Sequence, residues 1–290
     1  MQIKVSSVEG NTQKLDGGAM FGNAPRAVWE KWIPADDRGR IPLSCRCLLV
    51  QMDNKNILVE AGIGAFFEPK LADRFGVQNS DRHMLLENLA AKGLEPEDID
   101  YVLLSHLHFD HAGGLLPSYK EMQAGNQELV FPKAKFLVGE KAWERAIDPH
   151  PRDRASFIPL LNQKLEESGR LEILKQQEWQ TYDNFHFFLS NGHTPGQYIS
   201  ILQGQNKKIA FCGDLIPGKA WMHIPITMGY DRFPELLIDE KKEFYQLMQA
   251  ENDLLFFTHD PEFAAATFMQ DEKGKIQAKD CFAQLDAVSI

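Results

Sequence analysis

Short apolar runs recur along the chain, and their length and composition are typical of buried strands. Three of them are CRCLLVQM from Cys45, YVLLS from Tyr101 and LLFFT from Leu254. Leucine, β-branched and aromatic residues in runs this short favour strands over helices. We expect the Leu254 run to be the last core strand and the DNKN stretch after the Cys45 run to be a hairpin turn. Similar runs start at Asn56, Ala134, Leu171, Phe185, Tyr198 and Lys207.

Longer stretches between these runs have the spacing of amphipathic helices. In residues 81–93 the apolar side chains fall on one helical stripe, with Asp81 as the expected N-cap and Gly93 as the expected stop. Residues 141–147 and 239–252 are predicted helices as well. Since strands and helices mix in both halves of the chain, we expect an α/β (α+β) fold in which helices flank two sheets.

Two irregular segments interrupt this pattern, residues 16–42 and 215–234. Both are rich in glycine and proline but also in methionine and aromatic residues, which argues against disorder. Connections this long inside a compact domain are typically functional lids, although these side chains could also simply cover an edge of the core. Because neither segment resembles a linker, the prediction is one domain, residues 1–290.

Composition and charge exclude several classes of protein. The net charge of −10 disfavours binding to nucleic acid or to an anionic membrane, since both need a basic surface. The sequence shows no apolar run long enough for a bilayer, and because MQIKVSSVEG lacks the apolar run of a signal peptide we do not expect export by that route. Its four cysteines form no C-x-x-C pair, so we expect reduced thiols and a cytoplasmic protein. The sequence allows a homodimer without specifying one.

One loop holds several candidate metal ligands. The stretch SHLHFDHAGG, residues 105–114, holds His106, His108, Asp110 and His111 directly after the strand predicted from Tyr101. Imidazole and carboxylate groups are the usual nitrogen and oxygen ligands of zinc and related metals. A rigid strand that ends in a polar loop is also where binding residues concentrate. The alternative is a solvated polar loop, but the density of donors favours a metal site.

Further donor residues lie at the ends of other predicted strands. His193 follows the Phe185 strand, Asp214 follows the Lys207 strand, and His259 follows the Leu254 strand. Taken singly, Asp214 could cap a turn and His259 could lie near a helix cap. Four such strand ends in one chain indicate a shared site.

The ordered motifs SHLHFDHAGG, GHTPGQ, FCGDLIP and FFTHD resemble those of the metallo-β-lactamase-fold hydrolases. The resemblance runs from the Cys45 strand to His259 and implies a four-layer αββα sandwich with metals at one edge. It implies that three residues hold the first metal, three hold the second and one bridges both: His106, His108 and His193; Asp110, His111 and His259; and Asp214. Zinc is the metal expected first, with iron, manganese or cobalt as alternatives.

The same resemblance implies a mechanism. Two divalent ions would share a hydroxide that is nucleophilic at neutral pH. Asp110 would orient it and later move a proton, which makes Asp110 the candidate catalytic residue. Glu60 stands where the family often has an aspartate that orients a ligand histidine, and it could fill that role or be a plain strand-end carboxylate.

The lead-in DGGAMFGNAPRAVWEKW is similar to that of the lactonase and organophosphate-hydrolase branch, which includes N-acyl homoserine lactonases. This implies hydrolysis of a small-molecule lactone or ester. The branch often has a tyrosine three residues after the bridging aspartate, where this chain has Pro217. The alternatives are a thioesterase of the glyoxalase-II type, a mono-iron persulfide dioxygenase that needs only His106, His193 and Asp214, and a non-catalytic metal-dependent binding protein.

Selectivity should come from side chains around the metals. We expect the two irregular segments to fold over the metal edge and line a mostly apolar pocket with a few polar groups. Such a pocket suits a neutral ring or acyl chain better than a polyanion. The candidate substrate contacts are Met20, Phe21, Trp29, Trp221, Met222, His223 and Tyr230.

Overall fold

The computed structural model describes residues 3–175, 179–248 and 252–290. Its strands are β1 (Lys4–Glu9), β2 (Gln13–Asp16), β3 (Arg40–Leu43), β4 (Arg46–Met52), β5 (Lys55–Val59), β6 (Tyr101–Leu104), β7 (Lys135–Gly139), β8 (Leu171–Leu174), β9 (Phe185–Ser190), β10 (Gln197–Gln203), β11 (Lys208–Phe211), β12 (Leu254–Phe256), β13 (Ala265–Gln270), β14 (Ile276–Phe282) and β15 (Val288–Ser289).

The α-helices are α1 (Gly17–Phe21), α2 (Arg26–Trp29), α3 (Pro69–Arg74), α4 (Met84–Ala91), α5 (Phe109–Ala112), α6 (Tyr119–Gln123), α7 (Glu140–Ile147), α8 (Pro159–Glu167) and α9 (Pro234–Leu247). Short 3-10 turns lie at Pro96–Asp98, Gly113–Leu115, Arg154–Ser156 and Lys219–Met222. Within the described residues, no helix combines the length and the apolar character needed to cross a membrane.

The strands form two large mixed sheets and a small one. The first sheet has the order β15-β1-β4-β5-β6-β7-β8, in which β5 to β8 run parallel to one another. The second has the order β14-β13-β12-β11-β10-β9, in which β11 and β12 are parallel. Strands β2 and β3 pair by themselves. In a parallel pair the carboxyl ends lie at the same edge of the sheet, which brings the polar residues that follow them together.

Alternation along the strands builds the layers. Leu103 of β6 packs between the two sheets with Phe211 and Phe256 of the second sheet. Its neighbours Val102 and Leu104 face the other way, against helices α4, α7 and α8. Helix α9 covers the outer face of the second sheet. The four-layer αββα sandwich expected from the sequence is therefore confirmed.

The predicted apolar runs all lie in strands, and the DNKN turn has positive φ values of 48° at Asp53 and 59° at Asn54. Gly93, with φ of 77°, follows the end of α4 as predicted. Asp81 as N-cap is wrong, because α4 begins at Met84 after His83 and no side chain caps it.

The Leu254 run is not the last strand of the core, because β13, β14 and β15 follow it. Strand β14 is an edge strand whose side chains are mostly exposed, so its sequence lacks a continuous apolar run. Helix α9 begins at Pro234, earlier than expected, and residues 249–251 of the predicted helix lie outside the described residues.

Candidate metal centre

All the strand-end donors predicted from the sequence meet at one edge of the sandwich. His106 follows β6 of the first sheet, whereas Asp214 and His259 follow the parallel pair β11 and β12 of the second. His193 lies in the connection between β9 and β10. Each sheet therefore contributes donors across the same edge.

The HAGG stretch is held in place by close backbone packing. A Cβ atom on Gly114 would lie 2.0 Å from the carbonyl oxygen of Ala61, and one on Gly113 would lie 2.5 Å from that of Ile63. Only glycine allows this approach. The contact presses α5 against the loop after β5 and so fixes Asp110 and His111 in the short helix.

The predicted donors form two groups, and a third set joins Glu60 to His106 and His111. In the first, ligand atoms of four buried residues lie within 4.8 Å of one another: His106, His108, His193 and Asp214. His193 Nε2 is 3.2 Å from His108 Nδ1 and 3.1 Å from Asp214 Oδ2. Four mixed nitrogen and oxygen donors at this spacing are what a single divalent ion requires.

In the second group, ligand atoms of Asp110, His111 and His259 also lie within 4.8 Å of one another. His259 Nε2 is 3.3 Å from His111 Nε2 and 3.6 Å from Asp110 Oδ2. Asp214 reaches this group too, since its Oδ1 is 3.3 Å from His259 Nε2 and its Oδ2 is 3.4 Å from His111 Nε2. One carboxylate thus lies between both groups.

Hydrogen bonds on the far side of the rings orient their lone pairs inward. His193 Nδ1 is 2.9 Å from Asp231 Oδ1, and His259 Nδ1 donates to the carbonyl oxygen of Ser44 at 2.7 Å. In the neutral tautomer this leaves Nε2 of both rings as an acceptor. His106 Nε2 is buried and has no hydrogen-bond partner. Buried lone pairs that converge without donors fit a bound cation.

The electrostatics agree with this fit. Burial lowers the pKa of His106 and of His108 well below the usual value, which keeps both rings neutral and able to ligate. Burial is the largest influence on His111 and His259 and opposes their charged forms, but Asp214 and the other polar groups nearby, Asp110 among them, together outweigh it and raise both pKa values. Although burial alone would raise the pKa of Asp214, the surrounding histidines hold it well below its usual range. The carboxylate therefore attracts positive charge to the centre.

A second layer of polar groups orients these side chains. Glu60, fully buried at a positive φ of 71°, accepts a hydrogen bond from the Ser105 backbone N–H at 2.7 Å, and its other oxygen is 3.4 Å from His111 Nδ1. Gln13 Nε2 donates to Asp110 Oδ2 at 2.8 Å. The sequence analysis missed Gln13 and Asp231, because neither follows an apolar run nor belongs to a histidine-rich motif.

The sequence profile of the Metallo-beta-lactamase superfamily matches residues 40–259. The chain belongs to this superfamily. N-acyl homoserine lactonase AiiA from Bacillus thuringiensis subsp. kurstaki is 24% identical over 230 residues, which cover 74% of this chain and 81% of the lactonase. The membership confirms the superfamily, the fold and the class of metal-dependent hydrolase predicted from the sequence.

Solved structures share this fold. A probable metal-dependent hydrolase from Staphylococcus aureus superposes with a TM-score of 0.83 at 29% identity, covering 96% of this chain and 97% of that one. AidC, described as a dizinc quorum-quenching lactonase, superposes with a TM-score of 0.75 at 20% identity, covering 96% of this chain and 94% of AidC. The second likeness concerns the fold alone.

In this metallo-beta-lactamase superfamily member, a cavity of about 370 Å³ opens at the donor groups. Of the predicted substrate contacts, Met20 and Tyr230 line it. Phe109 and Met228 add apolar wall, and Arg232 adds a charged group that the sequence analysis did not single out. A cavity of this size that combines apolar wall with polar and charged groups suits a small molecule.

The other predicted contacts lie elsewhere. The ring of Phe21 stacks between Trp29, at 5.5 Å, and Trp221, at 4.5 Å, and all three side chains are buried in a small core of the irregular segments. Since both faces of the Phe21 ring are covered, no face remains for a substrate. Met222 and His223 line a separate cavity. These five residues do not line the cavity at the donor groups.

Proposed function

We propose that the protein hydrolyses lactones or related carboxylic esters with two divalent metal ions, zinc being the first choice. The observation that carries the proposal is the convergence of two complete donor groups on one shared carboxylate, that of Asp214. The relative AiiA is an N-acyl homoserine lactonase and AidC a dizinc lactonase, and both names support the same reaction.

In this proposal each donor group holds one ion. His106, His108 and His193 would hold the first, Asp110, His111 and His259 would hold the second, and Asp214 would be shared by both. The first group alone would serve the mono-iron alternative. The second group brings three donors within the same 4.8 Å, and Asp214 also reaches it, which favours two ions.

When bound, the two ions would lower the pKa of a shared water and polarise the substrate carbonyl. The chain supplies the remaining parts. Asp110, held through Oδ2 by Gln13, takes the proton of the attacking water and passes it to the alkoxide oxygen that leaves, so that ester and water become acid and alcohol. Asp231 holds the His193 ring in one tautomer during this step. Met20, Phe109 and Met228 form the apolar part of the cavity wall that the substrate would contact.

The test is a panel of lactones, aryl esters, thioesters and phosphodiesters, assayed on protein reconstituted with zinc and on the same protein after chelation. We expect lactones or aryl esters to have the highest kcat/KM, and the activity to disappear with the metals. Faster turnover of thioesters or phosphodiesters would contradict the proposal, as would a metal content of one ion per chain that excess zinc does not raise.

We also propose a cytoplasmic location. Cys45, Cys47 and Cys212 are free thiols buried in the core, and burial raises the pKa of Cys45 to about 11. Buried protonated thiols of this kind suit a reducing compartment. Cell fractionation with an antibody against the protein tests this directly.

A further inference from the structure

One charged side chain in the cavity has no role in the mechanism above. Arg232 lines the cavity, and its side chain is only 11% exposed. Its Nε and Nη1 atoms are buried, and neither has a hydrogen-bond acceptor among the residues that the structure describes. A buried guanidinium with unused N–H groups is costly, so these groups require an acceptor such as water or a ligand.

One oxygen of the carboxylate beside Arg232 is engaged by another arginine, and the other, Asp153 Oδ1, is buried without a hydrogen-bond partner among the described residues. Asp153 Oδ2 is 3.7 Å from Arg232 Nε, beyond hydrogen-bond distance. The same oxygen accepts two hydrogen bonds from Arg145, at 3.0 and 2.8 Å. Arg152 also lines the cavity and donates to the neutral carbonyl oxygen of Gly229. Arg145, Arg152 and Arg232 thus lie around one carboxylate, while the carboxylates of Asp110 and Asp214 line the cavity at the donor groups.

Arg232 is also tied to the metal centre. Its backbone N–H donates to the carbonyl oxygen of His193 at 3.1 Å, and the preceding residue, Asp231, holds the ring of that histidine. The backbone of Arg232 thus has a fixed position relative to the donor groups. Apolar side chains, among them Met20, Phe109 and Met228, form other parts of the wall. The cavity therefore offers a reaction centre, an apolar surface and an anion-binding group.

We propose that Arg232 binds a carboxylate of the substrate, so that the protein acts on lactones or esters that carry a carboxylate besides the bond to be cleaved. This inference rests on the proposed hydrolytic function and narrows its substrate class. A planar guanidinium matches a carboxylate through two parallel hydrogen bonds. This substrate with a carboxylate replaces the neutral substrate that we expected from the apolar residues of the sequence.

The experiment compares substrates that differ only in charge. N-succinyl-homoserine lactone is paired with N-(4-methylpentanoyl)-homoserine lactone, and mono-4-nitrophenyl succinate with 4-nitrophenyl 4-methylpentanoate. On zinc-loaded protein we expect the carboxylate member of each pair to have the lower KM. Arg232→Met should raise that KM about tenfold or more and leave the KM of the neutral member within about twofold. Arg232→Lys should restore part of the loss, and Arg38→Met, at an exposed position, should change neither KM.

A binding measurement separates this inference from the proposed reaction. N-butylsuccinamic acid and N-butyl-4-methylpentanamide are amide analogues of the two acyl groups, and calorimetry gives their Kd without turnover. Tighter binding of the acid by wild-type protein, lost in Arg232→Met, supports the role of Arg232 even if no ester in the panel is hydrolysed. A lower KM or Kd of wild-type protein for the neutral compounds overturns it, and so does an equal Kd of wild type and Arg232→Met for the acid. The wild-type comparison holds even if the variant does not fold.

Discussion

We expected both the metal centre and the aromatic cluster of Phe21, Trp29 and Trp221 to be functional. The two regions differ in whether their buried polar atoms have hydrogen-bond partners. In the aromatic cluster the rings stack on one another, and Trp221 Nε1 has a partner because it donates to the Met20 carbonyl oxygen at 2.8 Å. In the metal centre, imidazole nitrogens face one another, and His106 Nε2 has no partner. Saturated packing stabilises the fold, whereas unsatisfied polar atoms that converge mark a binding site.

The largest effect should follow from removing the shared carboxylate. Asp214→Ala takes a ligand from both donor groups at once, so we expect the bound zinc to fall below two ions per chain and kcat/KM to drop at least about a thousandfold. Elemental analysis and the lactone assay measure both. Asp100→Ala, which breaks an ion pair with Lys55 away from the centre, is the control. Two tightly bound ions in the Asp214 variant would show that this carboxylate does not bridge.

The contrast between the two regions can be tested with two aromatic residues. Trp221 is buried in the stacked cluster, whereas Tyr230 is 43% exposed and lines the cavity. We expect Trp221→Ala to reduce the free energy of unfolding by about 3–5 kcal/mol. Tyr230→Ala should change the KM of the better substrate and leave the free energy of unfolding within about 1 kcal/mol. Urea unfolding of the metal-loaded variants and their steady-state kinetics check both. A raised KM in a stable Trp221→Ala would return this residue to the substrate pocket.

The sequence located the donors because their positions follow from local pattern. An apolar strand followed by a polar turn is visible in sequence, and parallel neighbours bring such turns to one edge. Gln13 and Arg232 were not predicted as site residues because their positions depend on packing between distant parts of the chain. Gln13 lies on β2, which belongs to neither large sheet, and Arg232 lies in an irregular segment. The same limit applies to β14, an edge strand without a continuous apolar run.

The irregular segment 215–234 also depends on a buried cation. Lys241 Nζ donates to the carbonyl oxygens of Trp221, at 2.8 Å, and Ile226, at 2.6 Å. Burial lowers the pKa of Lys241 to about 7. Between pH 7 and the ordinary pKa of about 10.4, the unfolded state therefore binds more protons than the folded state. The contribution of Lys241 to stability should rise with pH across this window, by roughly 3 kcal/mol.

Lys241→Met removes this titration. From pH 7 to pH 9.5, the free energy of unfolding of the wild type should therefore increase relative to that of the variant. Urea unfolding at several pH values measures it. Lys242→Met, at an exposed neighbour that pairs with Asp239, is the matched control and should give a difference independent of pH. A flat difference for Lys241→Met as well would mean that the two carbonyl hydrogen bonds keep the ammonium charged throughout.

The smallest effect concerns Gln13, a positioning residue that acts through Asp110. Its side chain is fully buried, and its hydrogen bond to Asp110 Oδ2 orients the carboxylate proposed to move the proton. Gln13→Leu should lower kcat about tenfold and leave KM and the measured metal content unchanged. Gln51→Leu, which breaks a half-buried hydrogen bond to Asn56 on another strand, is the control.

Asp110→Ala should lower kcat at least about a hundredfold. If Gln13 acts only through Asp110, adding Gln13→Leu to Asp110→Ala should cost nothing more. An additive double variant would show that Gln13 supports the fold instead, because two independent defects multiply.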